Sequence, residues 1–172
     1  MIYSTFAQVY DTLMDESLYA RWRDYVTARL APQGQKLLEL AGGSGSLALL
    51  LQEAGFDVAL LDLSAEMLAL AEDKLIAADR SMPLLQGDMR DLEGIQPVAA
   101  VTCFDDSLCY MPDLAAVTTV FKQVNAILAN GGDFFFDAHS LHQVDDVFPG
   151  YMYNYRTEDY AFMWQSYEGE LP

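Results

Sequence analysis

The sequence predicts an α/β fold: a doubly wound parallel sheet with two helices ahead of it and a short antiparallel β segment behind. Three observations carry this. Strand-length apolar runs alternate with helical stripes through residues 37–137, the pattern of right-handed βαβ units. Lys36-Leu37-Leu38-Glu39-Leu40-Ala41-Gly42-Gly43-Ser44-Gly45-Ser46-Leu47 reads as a strand, a glycine-rich turn and a helix that starts inside the turn, which aims main-chain N–H groups at a ligand. Asp62 closes the next strand, about where such folds set a carboxylate on ribose hydroxyls. Together they predict an adenosine-containing cofactor over the strand C-termini, with Gly43 and Gly45 bare so that it can approach.

Each element follows from local pattern. Tyr3, Phe6, Ala7, Tyr10, Leu13 and Met14 share one helical face, and Tyr19, Trp22 and Val26 another, until Pro32-Gln33-Gly34 interrupts. Residues 37–41 form the first strand. The helix after it turns Leu47, Leu50, Leu51 and Ala54 inward and stops at Gly55. Residues 57–62 form the second strand. Ser64 caps the next helix, with Glu66 in its first turn and Met67, Ala71, Leu75 and Ala78 as its inner stripe. Residues 82–86 and 98–104 are strands three and four, the latter apolar enough for burial on both faces. Asp113 caps a helix with Val117, Val120, Phe121, Val124, Ile127 and Leu128 inward, and Gly131-Gly132 turns into strand five at 133–137. In residues 151–167 aromatic residues alternate with period two, which predicts two strands of a small antiparallel sheet.

Composition narrows the function. The 172 residues suit one folding core, and 52% hydrophobic with 20% charged content is globular. A net charge of −17 disfavours nucleic acid as partner. No apolar run is long enough for a membrane span, and Met1-Ile2-Tyr3-Ser4 carries no secretion pattern. Cys103 and Cys109 fit neither a disulfide framework nor a zinc site. The expected location is the cytoplasm, with both thiols reduced and no metal.

The motifs resemble those of class I S-adenosylmethionine-dependent methyltransferases. That family's first motif, acidic-x-Gly-x-Gly-x-Gly, stands here as Glu39-Leu40-Ala41-Gly42-Gly43-Ser44-Gly45, with Ala41 in place of the first glycine and Gly42 beside it. The next element, Gly-Asp after strand three, is Gly87-Asp88-Met89, and strand four runs out into Phe104-Asp105-Asp106-Ser107-Leu108-Cys109-Tyr110. Tyr3-Ser4-Thr5-Phe6-Ala7-Gln8-Val9-Tyr10-Asp11 is similar to a group of small bacterial members. The resemblance implies a Rossmann-like domain over residues 1–138, with residues 1–31 as a helical lid. Residues 139–172 are then a small β-rich insert or truncated substrate-side segment. It implies that Glu39 lies near the methionine ammonium, directly or through water, and that Ala41, Gly42, Gly43 and Gly45 form the cofactor turn. Asp62 then holds the ribose, Leu63 and Met67 line the adenine side, and Asp88 and the Met89 N–H, following Gly87, read the adenine edge. Phe104 and Asp105 lie along the cofactor and substrate.

The implied reaction is in-line transfer of a methyl group from S-adenosylmethionine, leaving S-adenosylhomocysteine, to an unidentified acceptor, expected to be a small molecule. His139, Asp106 and Tyr10 are candidates for a general base. Two alternatives stay open. Gly43-Ser44-Gly45-Ser46-Leu47-Ala48 also satisfies the Gly-x-Gly-x-x-Ala pattern of an NAD-dependent oxidoreductase, and the fold also suits a non-catalytic S-adenosylmethionine-binding module. The family's terminal hairpin has no counterpart after residue 172. The expectation is therefore a truncated chain, or an exposed strand five and a homodimer formed through the C-terminal β segment.

Overall fold

Lys36–Leu40 forms β1, the middle strand of a five-stranded sheet, because every residue after Lys36 in it is buried. A strand apolar on both faces needs cover on both faces. The chain runs outward from β1 to β2 (Asp57–Asp62) and β3 (Leu84–Gln86). It then crosses β1 to β4 (Val98–Cys103) and β5 (Leu128–Phe136). The order is β3-β2-β1-β4-β5 and every pairing is parallel. Strand order thus reverses between β1 and β4, where a crevice opens beyond the strand C-termini. The computed structural model describes residues 14–156, 158 and 161–167. Of the expected first helical stripe only Met14 falls within them; Tyr10 and Tyr160 lie outside.

Helices α1 (Glu16–Thr27), α2 (Ser46–Glu53), α3 (Ala65–Ala77) and α4 (Leu114–Ile127) cover the sheet. Side-chain alternation sorts the interior into two cores. Leu37, Val58, Leu60, Ala100 and Phe135 meet Tyr19 and Val26 of α1, Leu47, Ala48 and Leu51 of α2, and Leu68 and Ala71 of α3. Leu38, Leu40, Leu61, Val101 and Cys103 meet Leu92 and Val120, Val124 and Ile127 of α4. The predicted caps hold: Ser64 Oγ accepts from the Met67 N–H at 3.2 Å and Asp113 from the Ala116 N–H at 2.7 Å. Each cap satisfies an orphan donor of the first turn.

Two details differ from the sequence reading. Phe121 is not turned inward: it is 40% exposed and meets Phe134 and Phe136 edge-on, both at 5.3 Å. Strand five begins directly where α4 ends, at Leu128, not after the glycines. β4 advances from Val98 to Ala100 while β5 advances from Leu128 to Asp133, so the intervening residues bulge out. Gly132 is obligatory there, because a Cβ would sit 2.8 Å from the Ala99 carbonyl oxygen.

The chain divides after Asp137 into two compact units. The second contains a five-residue π-type turn, Gln143–Val147, and an antiparallel pair, β6 (Met152–Arg156) with β7 (Ala161–Gln165). Its own aromatics hold it: Trp164 meets Tyr151 at 5.3 Å and Phe148 at 5.6 Å. Among the described residues no helix is long and apolar enough to cross a membrane.

Candidate functional site

A cleft of about 620 Å³ lies at the C-terminal ends of the strands. The turn after β1 forms one wall. Ala41 itself takes the left-handed conformation, φ 50°, as do Gly43 at 55° and Gly45 at 76°. Gly42 does not supply the freedom that Ala41 lacks. It is glycine because a Cβ would lie 2.7 Å from Leu60 Cγ and 3.1 Å from Glu39 Cγ. Gly45 likewise faces protein: its Cβ would lie 3.1 Å from the Ala71 Cβ. Of the three turn glycines only Gly43 lines the cleft, with Ala41.

Asp62, at the end of β2, is 8% exposed and holds the turn in place. Its Oδ2 accepts from the Gly43 N–H at 2.8 Å and its Oδ1 from the Ser64 N–H at 2.8 Å. Each carboxylate oxygen keeps a second lone pair, so ligand hydroxyls still find acceptors there.

Glu39 lies beneath the turn and outside the cleft lining. It is 4% exposed, and its Oε2 has no hydrogen-bond partner among the described residues. Burial, then the Asp62 charge, pushes its carboxyl up to about 8. Its register neighbour Thr102, on the same face of the sheet, also buries an oxygen, Oγ1, that lacks a described partner. A buried carboxyl left open in this way, which ionises when a cation arrives beside it, fits a cationic ligand group.

The third wall follows β3. The Gly87 N–H donates to the Asp62 carbonyl at 3.0 Å, which brings Gly87, Asp88 and Met89 to the cleft. Arg90 grips Asp88 through its backbone N–H at 2.8 Å, Nε at 3.0 Å and Nη2 at 2.5 Å. Those hydrogen bonds hold the Asp88 carboxyl below the ordinary carboxylate range. The fourth wall is the loop after β4, where Asp105 and Asp106 are both left-handed, φ 59° and 56°. The Asp137 Oδ1 steadies it by accepting from the Asp106 N–H at 2.9 Å.

Ala41, Gly43, Asp62, Leu63, Met67, Gly87, Asp88, Met89 and Asp105 therefore share one cleft, and Glu39, Gly42, Gly45 and Phe104 do not line it. Phe104 turns the other way and stacks on Trp22 of α1 at 5.5 Å. His139 belongs to the second unit, where its ring meets Phe148 at 4.8 Å. Sequence reasoning missed Leu61, Ser64, Glu66, Arg90, Met111 and Pro112 as lining residues, though it named Ser64 and Glu66 for the start of α3. Only Arg90 carried a signal, its position two residues after Asp88, the spacing of a side chain folding back on an Asx turn.

Comparison with known proteins points the same way. The profile of a family described as "Methyltransferase domain" matches residues 37–132. A Bacillus subtilis (strain 168) protein named as a methyltransferase, YqeM, is 39% identical over 98% of this chain and 68% of its own length. A similarly named protein of Geobacillus sp. (strain WCH70) is 34% identical over 100% of this chain and 71% of its own. Among solved structures, an S-adenosylmethionine-dependent methyltransferase from Clostridium acetobutylicum ATCC 824 superimposes with a TM-score of 0.81 at 29% identity, covering 98% of this chain and 71% of that one.

Proposed function

Because this chain belongs to the methyltransferase-domain family and is an S-adenosylmethionine-dependent methyltransferase, we propose that the cleft between Gly43 and Asp88 holds the cofactor and that the acceptor is a small molecule. The buried Glu39 carboxyl beneath the glycine-rich turn, whose Oε2 has no partner among the described residues, carries the reading. It fits the amino group of the cofactor's methionine end. Asp62 and Asp88 fit the ribose hydroxyls and the adenine amino group, and Leu63, Met67 and Met89 give the base an apolar bed. Ala41, Gly42, Gly43 and Gly45 set the turn's backbone. A cleft of about 620 Å³ is in the range of small-molecule sites.

When bound, S-adenosylmethionine supplies a methyl group already activated by its sulfonium. The residues of this chain then orient the acceptor in line with it and exclude water. Asp105 and Tyr110, at the cleft wall, are candidates for contact with acceptor, and Asp106 for taking its proton. In this reading residues 1–138 form the cofactor-binding body, and residues 139–172 a small β-rich segment through which a second copy pairs.

Calorimetric titration tests the proposal. S-adenosylmethionine and S-adenosylhomocysteine should bind one per chain while NAD does not. Binding of NAD alone would assign the turn to a dinucleotide and overturn it.

A further inference from the structure

The glycine-rich turn is gripped twice, and one grip lies outside the cleft lining. Asp62 accepts from the Gly43 N–H. One residue further on, Lys74 in the last turn of α3 donates from Nζ to Ser44 Oγ at 3.0 Å and to Ser46 Oγ at 2.5 Å. We propose that Lys74 is a positioning residue for the cofactor: it pins the Ser44 and Ser46 hydroxyls and so fixes the turn's main-chain amides in the arrangement that receives the ligand. The proposal rests on reading this turn as the cofactor turn.

Three observations support it. Ser44 is 1% exposed, so its hydroxyl depends on a protein partner, and Lys74 is one. The turn closes on a main-chain hydrogen bond of its own, the Gly45 N–H to the Gly42 carbonyl at 3.0 Å, but Gly45 offers α2 no side-chain cap. α3 abuts the turn, since Ala71, one helical turn before Lys74, lies 3.1 Å from where a Gly45 Cβ would be.

The test compares Lys74→Met and Lys74→Arg with the wild-type chain by amide hydrogen exchange without ligand and by calorimetry with S-adenosylmethionine. In Lys74→Met the Ser44, Ser46 and Leu47 amides should exchange faster while β1 and β4 amides keep their protection. The cofactor Kd should rise about tenfold, the effect of leaving roughly one residue of backbone to be ordered on binding. Lys74→Arg, which keeps the charge and donors, should recover most of the affinity. An unchanged Kd in Lys74→Met, or turn amides as protected as in wild type, would overturn the proposal. If the wild-type chain binds no S-adenosylmethionine, the cofactor site is misassigned and Lys74 falls with it as a cofactor-positioning residue.

Discussion

Replacing Glu39 by Gln should stabilise the ligand-free protein while weakening its hold on the cofactor. The Glu39 carboxyl is buried, lies near Asp62 and is raised from 4.5 to about 8. The sign follows from proton counting. The unfolded chain gives up this proton near 4.5 and the folded chain keeps it until about 8, so ionisation favours unfolding throughout that window. Wild-type stability therefore falls through this group by about 1.4 kcal/mol per pH unit. From about pH 6 to about pH 8 the loss is roughly 2.5 kcal/mol. Glu39→Gln has no such proton to lose. Urea unfolding of both proteins at the two pH values isolates the group, because every other titration is common to them. The advantage of Glu39→Gln should widen by roughly 2.5 kcal/mol between those values. A gap that stays constant with pH would refute the claim that Glu39 is held neutral. The same logic makes cofactor affinity in the wild type rise with pH toward about 8, with release of a proton on binding.

Asp62→Ala removes the acceptor of two main-chain amides and should weaken cofactor binding roughly 100-fold or more, with the far-UV circular dichroism unchanged. Gly42→Ala drives a Cβ to 2.7 Å from Leu60 and should cost about 1–3 kcal/mol in urea unfolding. Arg90→Ala releases the Asp88 carboxyl from its cation, so an NMR titration of Asp88 should move up toward the ordinary carboxylate value. Pairing through the C-terminal β segment predicts a dimer in light scattering at high concentration; a 19.2 kDa monomer would contradict it.

The parallel order of the sheet was legible because strand and helix patterns alternate with their different periods, and the caps at Ser64 and Asp113 because their side chains act locally. What escaped depends on distant neighbours. Gly42 and Gly45 are recognisable as turn glycines, yet Leu60, Glu39 and Ala71 dictate them, and packing between strands and helices is invisible in a turn motif. Phe104 carries the right spacing for the crevice, but alternation along β4 sends it to Trp22. The grip of Lys74 on Ser44 joins residues far apart in sequence, and no local pattern announces it.

A crystal structure with S-adenosylhomocysteine tests the central claim most directly. The account predicts the nucleoside between Gly43 and Asp88, its ribose at Asp62, and its amino group within one hydrogen bond or one bridging water of Glu39 Oε2. A cleft that stays empty at saturating ligand, or a nucleoside bound away from Glu39, would contradict it.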